Sequence, residues 1–256
     1  MSTSARPEPR RRAFVPALLQ YEVSVSLDDW TIAEEPVAEA RWHDLAADLV
    51  RDILVQHAAD VGMNAQGARN LAVRFEESRP NVGVDPDVCV ISPAAPEGDA
   101  LDSLCLWREG HTPPLVAVEI VSTNNPRKDY VVAPDKYAVC GVRELWVFDP
   151  HLAGPKAHGG PFRIQLWARD EDGRFSRIYA GEGPVRSPTL GGWLFAVSEG
   201  QRLRIADDAQ GTVWWPTPAE AERAGREAER RAKDEAIARI ADLEAALTAA
   251  GRSPAG

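Results

Sequence analysis

The chain is short of cysteine and of positive charge. Its 256 residues include only three cysteines, Cys89, Cys105 and Cys140, which are widely spaced in apolar contexts. An odd and scattered set favours buried free thiols over a disulfide framework or a cysteine-based zinc site. Lys and Arg number 29 against 39 Asp and Glu, a formal net charge of −10. This balance argues against a protein that coats nucleic acid through a broad basic surface.

Long apolar runs are also missing. No stretch of about 18 consecutive apolar residues occurs, and the first residues, MSTSARPEPRRRAF, lack the apolar centre of a signal peptide. We therefore expect a soluble cytoplasmic protein with no membrane partner. Composition shifts predict three segments: a disordered tail over residues 1–13, a folded domain over 14–215, and an Ala/Glu/Arg-rich helix over 216–256.

Apolar periodicity predicts a mixed α/β domain. A helix should run from Pro36 to Gly62, and a short one from Ala133 to Val139 should end at Gly141. The apolar residues at helical spacing on the first helix are Trp42, Leu45, Ala46, Leu49, Ile53 and Leu54. A hairpin is expected in FRIQLWARDEDGRFSRIYAG, because DEDG is a turn sequence. The other predicted strands are NLAVRFE, VDPDVCVIS, LVAVEIVS and VRELWVFDP.

The C-terminal helix has a short apolar seam. Ala236, Ile240, Leu243 and Leu247 are spaced four, three and four apart, as in a coiled coil, whereas the corresponding earlier positions are polar. Two heptads of this kind predict a homodimer that forms through the helix. A helix that packs on its own domain or stands in solvent explains the pattern equally well.

One carboxylate, Glu119, lies inside the apolar run LVAVEIVS. A buried carboxylate costs several kcal/mol unless it is paired, protonated or bound to a cation. Asp87 follows Pro86 at the start of a neighbouring predicted strand, so both acids can meet at one edge of a sheet. Two hard oxygen ligands suit Mg²⁺, or Mn²⁺, better than zinc. The alternative is a structural Glu119 that forms a salt bridge with Arg127 or Arg143.

The chain resembles the Uma-two family of putative restriction endonucleases, which belongs to the PD-(D/E)XK nuclease superfamily. The segments that carry the resemblance are DPDVCVI, VEIVS, RKDY and KYAVCGVRELWVFDP. They lie within a region of similarity from about Leu45 to Trp193. The resemblance implies that residues 14–215 form an α/β/α sandwich with a central mixed sheet. It also implies a magnesium-dependent endonuclease that hydrolyses DNA phosphodiester bonds, with Asp87 and Glu119 as metal ligands.

The catalytic lysine departs from the superfamily pattern. Its simplest position, two residues beyond the second acid, is Val121 here. The resembling family generally places the lysine four residues before the tyrosine that aligns with Tyr137, and this position is Ala133. We predict that Lys136 supplies the ammonium group instead, with Lys128 as a second candidate. The alternative function is a weakened nuclease fold that binds nucleic acid or a protein partner.

Glu39 and His43 are four residues apart on the first predicted helix and therefore share a face. This face is a candidate for an additional metal or water contact in the cleft. A partly exposed polar edge of an amphipathic helix is the interpretation that the pattern favours.

Overall fold

The computed structural model describes residues 30–32, 40–158 and 160–251. Their centre is a six-stranded mixed sheet in the order β1-β4-β6-β7-β8-β9. Strands β6 and β7 are parallel, and the other neighbouring pairs are antiparallel. The bounds are β1 Gln66–Ala68, β4 Val88–Ile91, β6 Val116–Ile120, β7 Glu144–Phe148, β8 Ile164–Arg169 and β9 Phe175–Gly181.

Helices cover both faces of this sheet. Along β6, Val116, Val118 and Ile120 join the core under helix α1 (Arg41–Asp60), while Ala117 and Val121 join the core under helix α2 (Ala133–Cys140). Every residue of β6 and β7 is buried, as expected for strands covered on both sides. The predicted α/β/α arrangement with a central mixed sheet is thereby confirmed.

Two small sheets extend these layers. One contains β2 (Ala72–Arg74), β3 (Gly83–Val84) and β5 (Ser103–Cys105) and adds to the core under α2. The other contains β10 (Val185–Arg186), β11 (Trp193–Val197) and β12 (Arg202–Ala206) and adds to the core under α1. Most of these strands have only two or three residues, too few to produce a clear alternation in the sequence.

The first helix differs from its prediction in two respects. Helix α1 begins at Arg41, because Ala40 is extended, with φ −68° and ψ 140°. Residues 36–39, including Glu39, lie outside the described residues, as does the tail predicted over 1–13. Leu45 is 59 % exposed, contrary to the prediction. Ala46, Ile53 and Leu54 are buried as predicted, and Val50 joins them. The end of the helix near Gly62 agrees with the sequence pattern, since Gly62 has φ +66°.

The short helix α2 follows its prediction closely. It ends at Gly141, which adopts the left-handed conformation with φ +84°. The hairpin prediction is also correct, since β8 and β9 pair around a turn that contains Gly173 at φ +81°. All three cysteines are free and buried, as expected.

A long helix, α3 (Pro218–Gly251), follows the sheets. It starts beside β12, where both guanidinium nitrogens of Arg204 contact the carboxylate of Glu220 at 2.9 and 3.2 Å. From residue 222 to residue 248 the helix carries exposed side chains. Among the residues that the structure describes, no helix has both the length and the apolarity required to cross a membrane.

Candidate active site

The two predicted acids meet at one margin of the central sheet. Strand β4 runs antiparallel to β6, with Val88 opposite Val118. Continuing this register by one residue places Asp87 opposite Glu119, and residues opposite each other on antiparallel strands have side chains on the same face. Both acids line one cleft at the start of β4 and the end of β6. The meeting of these two acids is what the sequence predicted.

Backbone and helix contacts hold Asp87 in place. The Ile120 amide donates a hydrogen bond of 2.6 Å to Asp87 Oδ2. The same oxygen lies 3.2 Å from His43 Nε2, which is also 2.8 Å from the carbonyl oxygen of Ile120. His43 is only 3 % exposed, so the expectation that it sits on an exposed polar edge is wrong. It connects α1 to the end of β6 beside the acid.

Glu119 is 1 % exposed, and its two carboxylate oxygens differ in their hydrogen-bond partners. Its Oε1 accepts a hydrogen bond of 2.7 Å from the hydroxyl of Tyr137 on α2. Its Oε2 has no hydrogen-bond partner among the described residues, although Lys128 Nζ lies 3.9 Å away. The ion pair therefore involves Lys128, and the suggested salt bridge to Arg127 or Arg143 is wrong. A buried carboxylate oxygen without a donor is costly, which marks it as a site for a cation.

Lys128 comes from an irregular helical segment. A π-helical turn, Lys128–Val132, runs directly into α2. Pro134 lies at the start of α2 and has no N–H to donate to the carbonyl of Tyr130 four residues earlier, so a regular α-helix is interrupted here. Turns of this kind are often found at functional sites. In this chain the turn carries Lys128 and Asp129, and both residues line the cleft.

Asp129 is a third acid that the sequence analysis missed. It is 4 % exposed and follows Lys128 directly. Burial raises the pKa of Asp129 to about 7, and the nearby Asp87 adds to this rise, while Lys128 opposes it. The RKDY sequence contains this residue, but it lies where a loop, a turn or a helix start was equally compatible with the pattern. The sequence therefore did not indicate that the Asp129 side chain faces the cleft.

The cleft concentrates negative charge in a poorly solvated place. Burial raises the pKa of Glu119 well above its ordinary range, and Asp87 and Asp129 raise it further, against the effect of Lys128. Glu119 in turn raises the pKa of Lys128, which keeps this ammonium charged. One aromatic ring and four polar side chains also line the cleft: Trp42, Ser122, Thr123, Asn124 and Asn125.

Lys136 does not line the cleft. It lies on α2, and burial together with Lys128 lowers the pKa of its ammonium, while Glu119 raises it. These influences place Lys136 within electrostatic range of the acids, but Lys128 is the lysine that the structure brings to the cleft. Ala133, at the family's usual lysine position, is 2 % exposed and packs in the core. A catalytic role for Lys136 stays a prediction.

The donor set fits a hard divalent cation better than a soft one. No three His, Cys, Asp or Glu side chains are grouped to hold a metal ion within residues 30–32, 40–158 and 160–251. A zinc site normally needs such a group, whereas Mg²⁺ uses one or two carboxylates and keeps several waters. Asp87 and the free Oε2 of Glu119 meet this smaller requirement. The crowded acids also gain from a cation that offsets their repulsion.

The chain is similar to a known protein family and to a solved structure. Residues 16–154 match the model of the Uma2 family, described as putative restriction endonucleases. The motifs indicated a region of similarity from about Leu45 to Trp193, so the match begins and ends earlier in the chain than expected. A crystal structure of a putative nuclease belonging to DUF820 from Anabaena variabilis ATCC 29413 is 12% identical, with a TM-score of 0.42. The similarity covers 62% of this chain and 78% of that chain. No curated protein matches the chain.

Proposed function

Since the chain belongs to the Uma2 family of putative restriction endonucleases, we propose that it is a metal-dependent endonuclease that hydrolyses DNA phosphodiester bonds. Family membership supports a nuclease function in general. The dependence on Mg²⁺ or Mn²⁺ and the choice of DNA as substrate are our proposals. The observation that supports them is the buried Glu119 Oε2, which shares the cleft with Asp87 and Lys128 and accepts no hydrogen bond from any residue that the structure describes.

Asp87 and Glu119 would hold the cation. When bound in such a site, Mg²⁺ supplies polarisation of a phosphoryl oxygen and a lowered pKa of coordinated water. The chain's own residues preorganise the ligands. The Ile120 amide and His43 fix Asp87, and Tyr137 fixes Glu119, so neither carboxylate needs to reorient when substrate arrives.

Lys128 supplies the positive charge for the reaction. Hydrolysis forms a bond between a water oxygen and phosphorus, and it breaks the bond from phosphorus to one sugar oxygen. The water loses a proton, and the leaving oxygen gains one. Negative charge builds up on the phosphoryl oxygens during this exchange, and an ammonium beside them stabilises the transition state by a few kcal/mol. The half-exposed side chain of Lys128 can reach a phosphate at the mouth of the cleft.

Plasmid nicking tests the proposal. Purified protein should convert supercoiled plasmid to the open circular form with Mg²⁺ or Mn²⁺, and a chelator should stop the reaction. Asp87→Ala and Glu119→Ala should abolish nicking while circular dichroism shows a folded protein. Asp99→Ala, an exposed acid outside the cleft, is the matched control and should nick normally. Unchanged nicking by the two cleft variants would reject these ligands.

The same assay distinguishes the contributions of Lys128 and Lys136 to catalysis. Lys128→Ala should slow nicking by about 100-fold, because one charged contact to the transition state is lost. Lys136→Ala should leave the rate within about threefold of the parent, since Lys136 does not line the cleft. The opposite order would assign the reaction to Lys136.

A binding module is the second candidate function. The observation in its favour is Ala133, which occupies the family's usual lysine position and is buried, so no ammonium can extend from there. In this case the protein should bind DNA or a protein partner, and no divalent metal should produce cleavage. Gel-shift and nicking assays on the same preparation distinguish the two functions.

A further inference from the structure

The distal half of helix α3 exposes a stripe of large apolar side chains. Ile237, Ile240 and Leu243 are 55, 56 and 57 % exposed, and Leu247 is 73 % exposed. These residues form neither of the two cores of the described domain. The structure thus excludes packing of this stripe on its own domain within the described residues. Four neighbouring residues of this size on one helix are too apolar for a face that serves only as contact with water.

The heptad positions indicate what covers the stripe. Lys233, Ile240 and Leu247 fall at successive a positions, and Ala236 and Leu243 at the d positions between them. A β-branched residue at a followed by leucine at d favours two parallel strands. A lysine at a single a position likewise specifies register and strand number at some cost in stability. The partner that fits this pattern is a second copy of the same helix.

Charge complementarity supports the parallel orientation. Arg239 is a g position and Glu244 is the e position five residues later, which are the positions that contact each other across a parallel pair. Within the described part of the chain, neither Arg239 nor Glu244 forms an ion pair, and both are exposed. A parallel dimer forms the Arg239–Glu244 contact twice. In an antiparallel pair that aligns Ile240 with Leu243 of the partner, these two charges do not face each other.

We propose that two copies of this protein associate through a short parallel coiled coil over residues 233–247, from the a position of Lys233 to that of Leu247. The seam is only about two heptads long, so the dimer is weak and depends on concentration. The interaction does not depend on the proposed nuclease activity, and its test needs no substrate.

Sedimentation equilibrium of the full chain tests the proposal. The parent should show a concentration-dependent dimer, and Leu243→Asp should raise the dissociation constant more than about tenfold. Arg239→Glu should raise it about tenfold, because two attractive contacts become repulsive. The double variant Arg239→Glu/Glu244→Arg should restore the parent value within about twofold. Arg231→Glu, which changes an exposed residue at the outer f position, is the control and should have no effect.

The orientation has its own measurement. In a parallel pair the two copies of residue 243 face each other, so Leu243→Cys should form an intermolecular disulfide with oxidised glutathione. The native cysteines are buried and should not compete. A parent chain that stays monomeric at its highest soluble concentration would overturn the dimer. A dimer that survives Leu243→Asp, or that fails to cross-link through residue 243, would overturn this seam.

Discussion

Glu119 illustrates how a buried carboxylate is kept at a cost to stability. Its Oε1 accepts a hydrogen bond from the Tyr137 hydroxyl, whereas in the described part of the chain its Oε2 is paired only with the ammonium of Lys128, 3.9 Å away. Burial outweighs this attraction, since the pKa of Glu119 is raised rather than lowered. A carboxylate selected for stability alone would show the opposite shift. Without a cation, the ionised form therefore destabilises the fold.

We expect Glu119→Gln to stabilise the metal-free protein by about 1–2 kcal/mol at pH 8. The folded state raises the pKa of this carboxyl, so the folded protein holds its proton at pH values where the unfolded chain has lost it. The parent therefore loses stability as pH rises above the ordinary glutamate range. The glutamine variant should lose less, because only the contribution of Glu119 is removed and Asp129, whose pKa burial raises to about 7, still contributes. Urea unfolding in chelator at pH 5 and pH 8 measures the difference. A variant that is less stable at both pH values would identify a structural ion pair.

Tyr137 is the residue that orients Glu119. Tyr137→Phe removes one hydroxyl from a fully buried ring and should cost about 1 kcal/mol of stability. Because this hydroxyl fixes a proposed metal ligand, the variant should also weaken Mg²⁺ or Mn²⁺ binding about tenfold in calorimetry. Tyr130→Phe is the matched control, since the Tyr130 hydroxyl bonds Asp149 and Phe162 instead. It should lower stability similarly and leave metal binding unchanged. If both variants bind the metal equally well, Tyr137 does not position Glu119 for metal binding.

The elements of the site differ in how well the sequence predicts them. Strands β4 and β6 followed from apolar runs, and the end of α2 followed from Gly141. The pairing of β4 with β6 is enough to bring Glu119 beside Asp87. The π-helical turn did not follow from the sequence, because Pro134 reveals an interruption of the helix but not the way the backbone resolves it. The sequence therefore did not show which way the side chains of Lys128 and Asp129 point, although both residues belong to the RKDY sequence.

The C-terminus of α2 has a specific conformational requirement. Gly141 has φ +84°, and its amide donates to the carbonyl of Tyr137. A Cβ on Gly141 would lie 3.2 Å from Pro113 Cγ, whereas one on Gly62, which ends α1 at φ +66°, would meet nothing within 4 Å. We expect Gly62→Ala to cost about 1 kcal/mol for its left-handed backbone. Gly141→Ala should cost about 2 kcal/mol, since crowding is added to the same backbone strain.

Urea unfolding of the two glycine variants measures this difference. Gly141→Ala should also weaken metal binding, because the end of α2 determines where the Tyr137 hydroxyl lies. Gly62→Ala should leave metal binding at the parent value. Equal losses of stability would mean that Pro113 yields to the added methyl group without cost.

At the scale of the whole molecule, α3 has an anchored beginning and an exposed remainder. The Thr217 amide donates a 2.8 Å hydrogen bond to Glu220 Oε2, and the Glu220 amide donates a 3.3 Å bond to Thr217 Oγ1. This reciprocal pair is a capping box, which fixes the first turn of the helix. Arg204 of β12 then ties Glu220 to the domain. In a parallel dimer, both nuclease domains would therefore lie at the same end of the paired helices.

The contacts at the start of α3 determine which truncations of the helix the fold tolerates. A chain that ends at Gly225 keeps Thr217, Glu220 and their contact with Arg204, so its free energy of unfolding should stay within about 0.5 kcal/mol of the parent. It should nick plasmid, bind metal normally and sediment as a monomer. A chain that ends at Pro216 loses the capping box and leaves Arg204 without its carboxylate, which should cost about 1–2 kcal/mol. Urea unfolding and sedimentation of both truncated chains provide the measurement. If the chain that ends at Gly225 is as unstable as the shorter one, the distal helix packs on the domain, and the apolar stripe belongs to the fold instead of to a dimer.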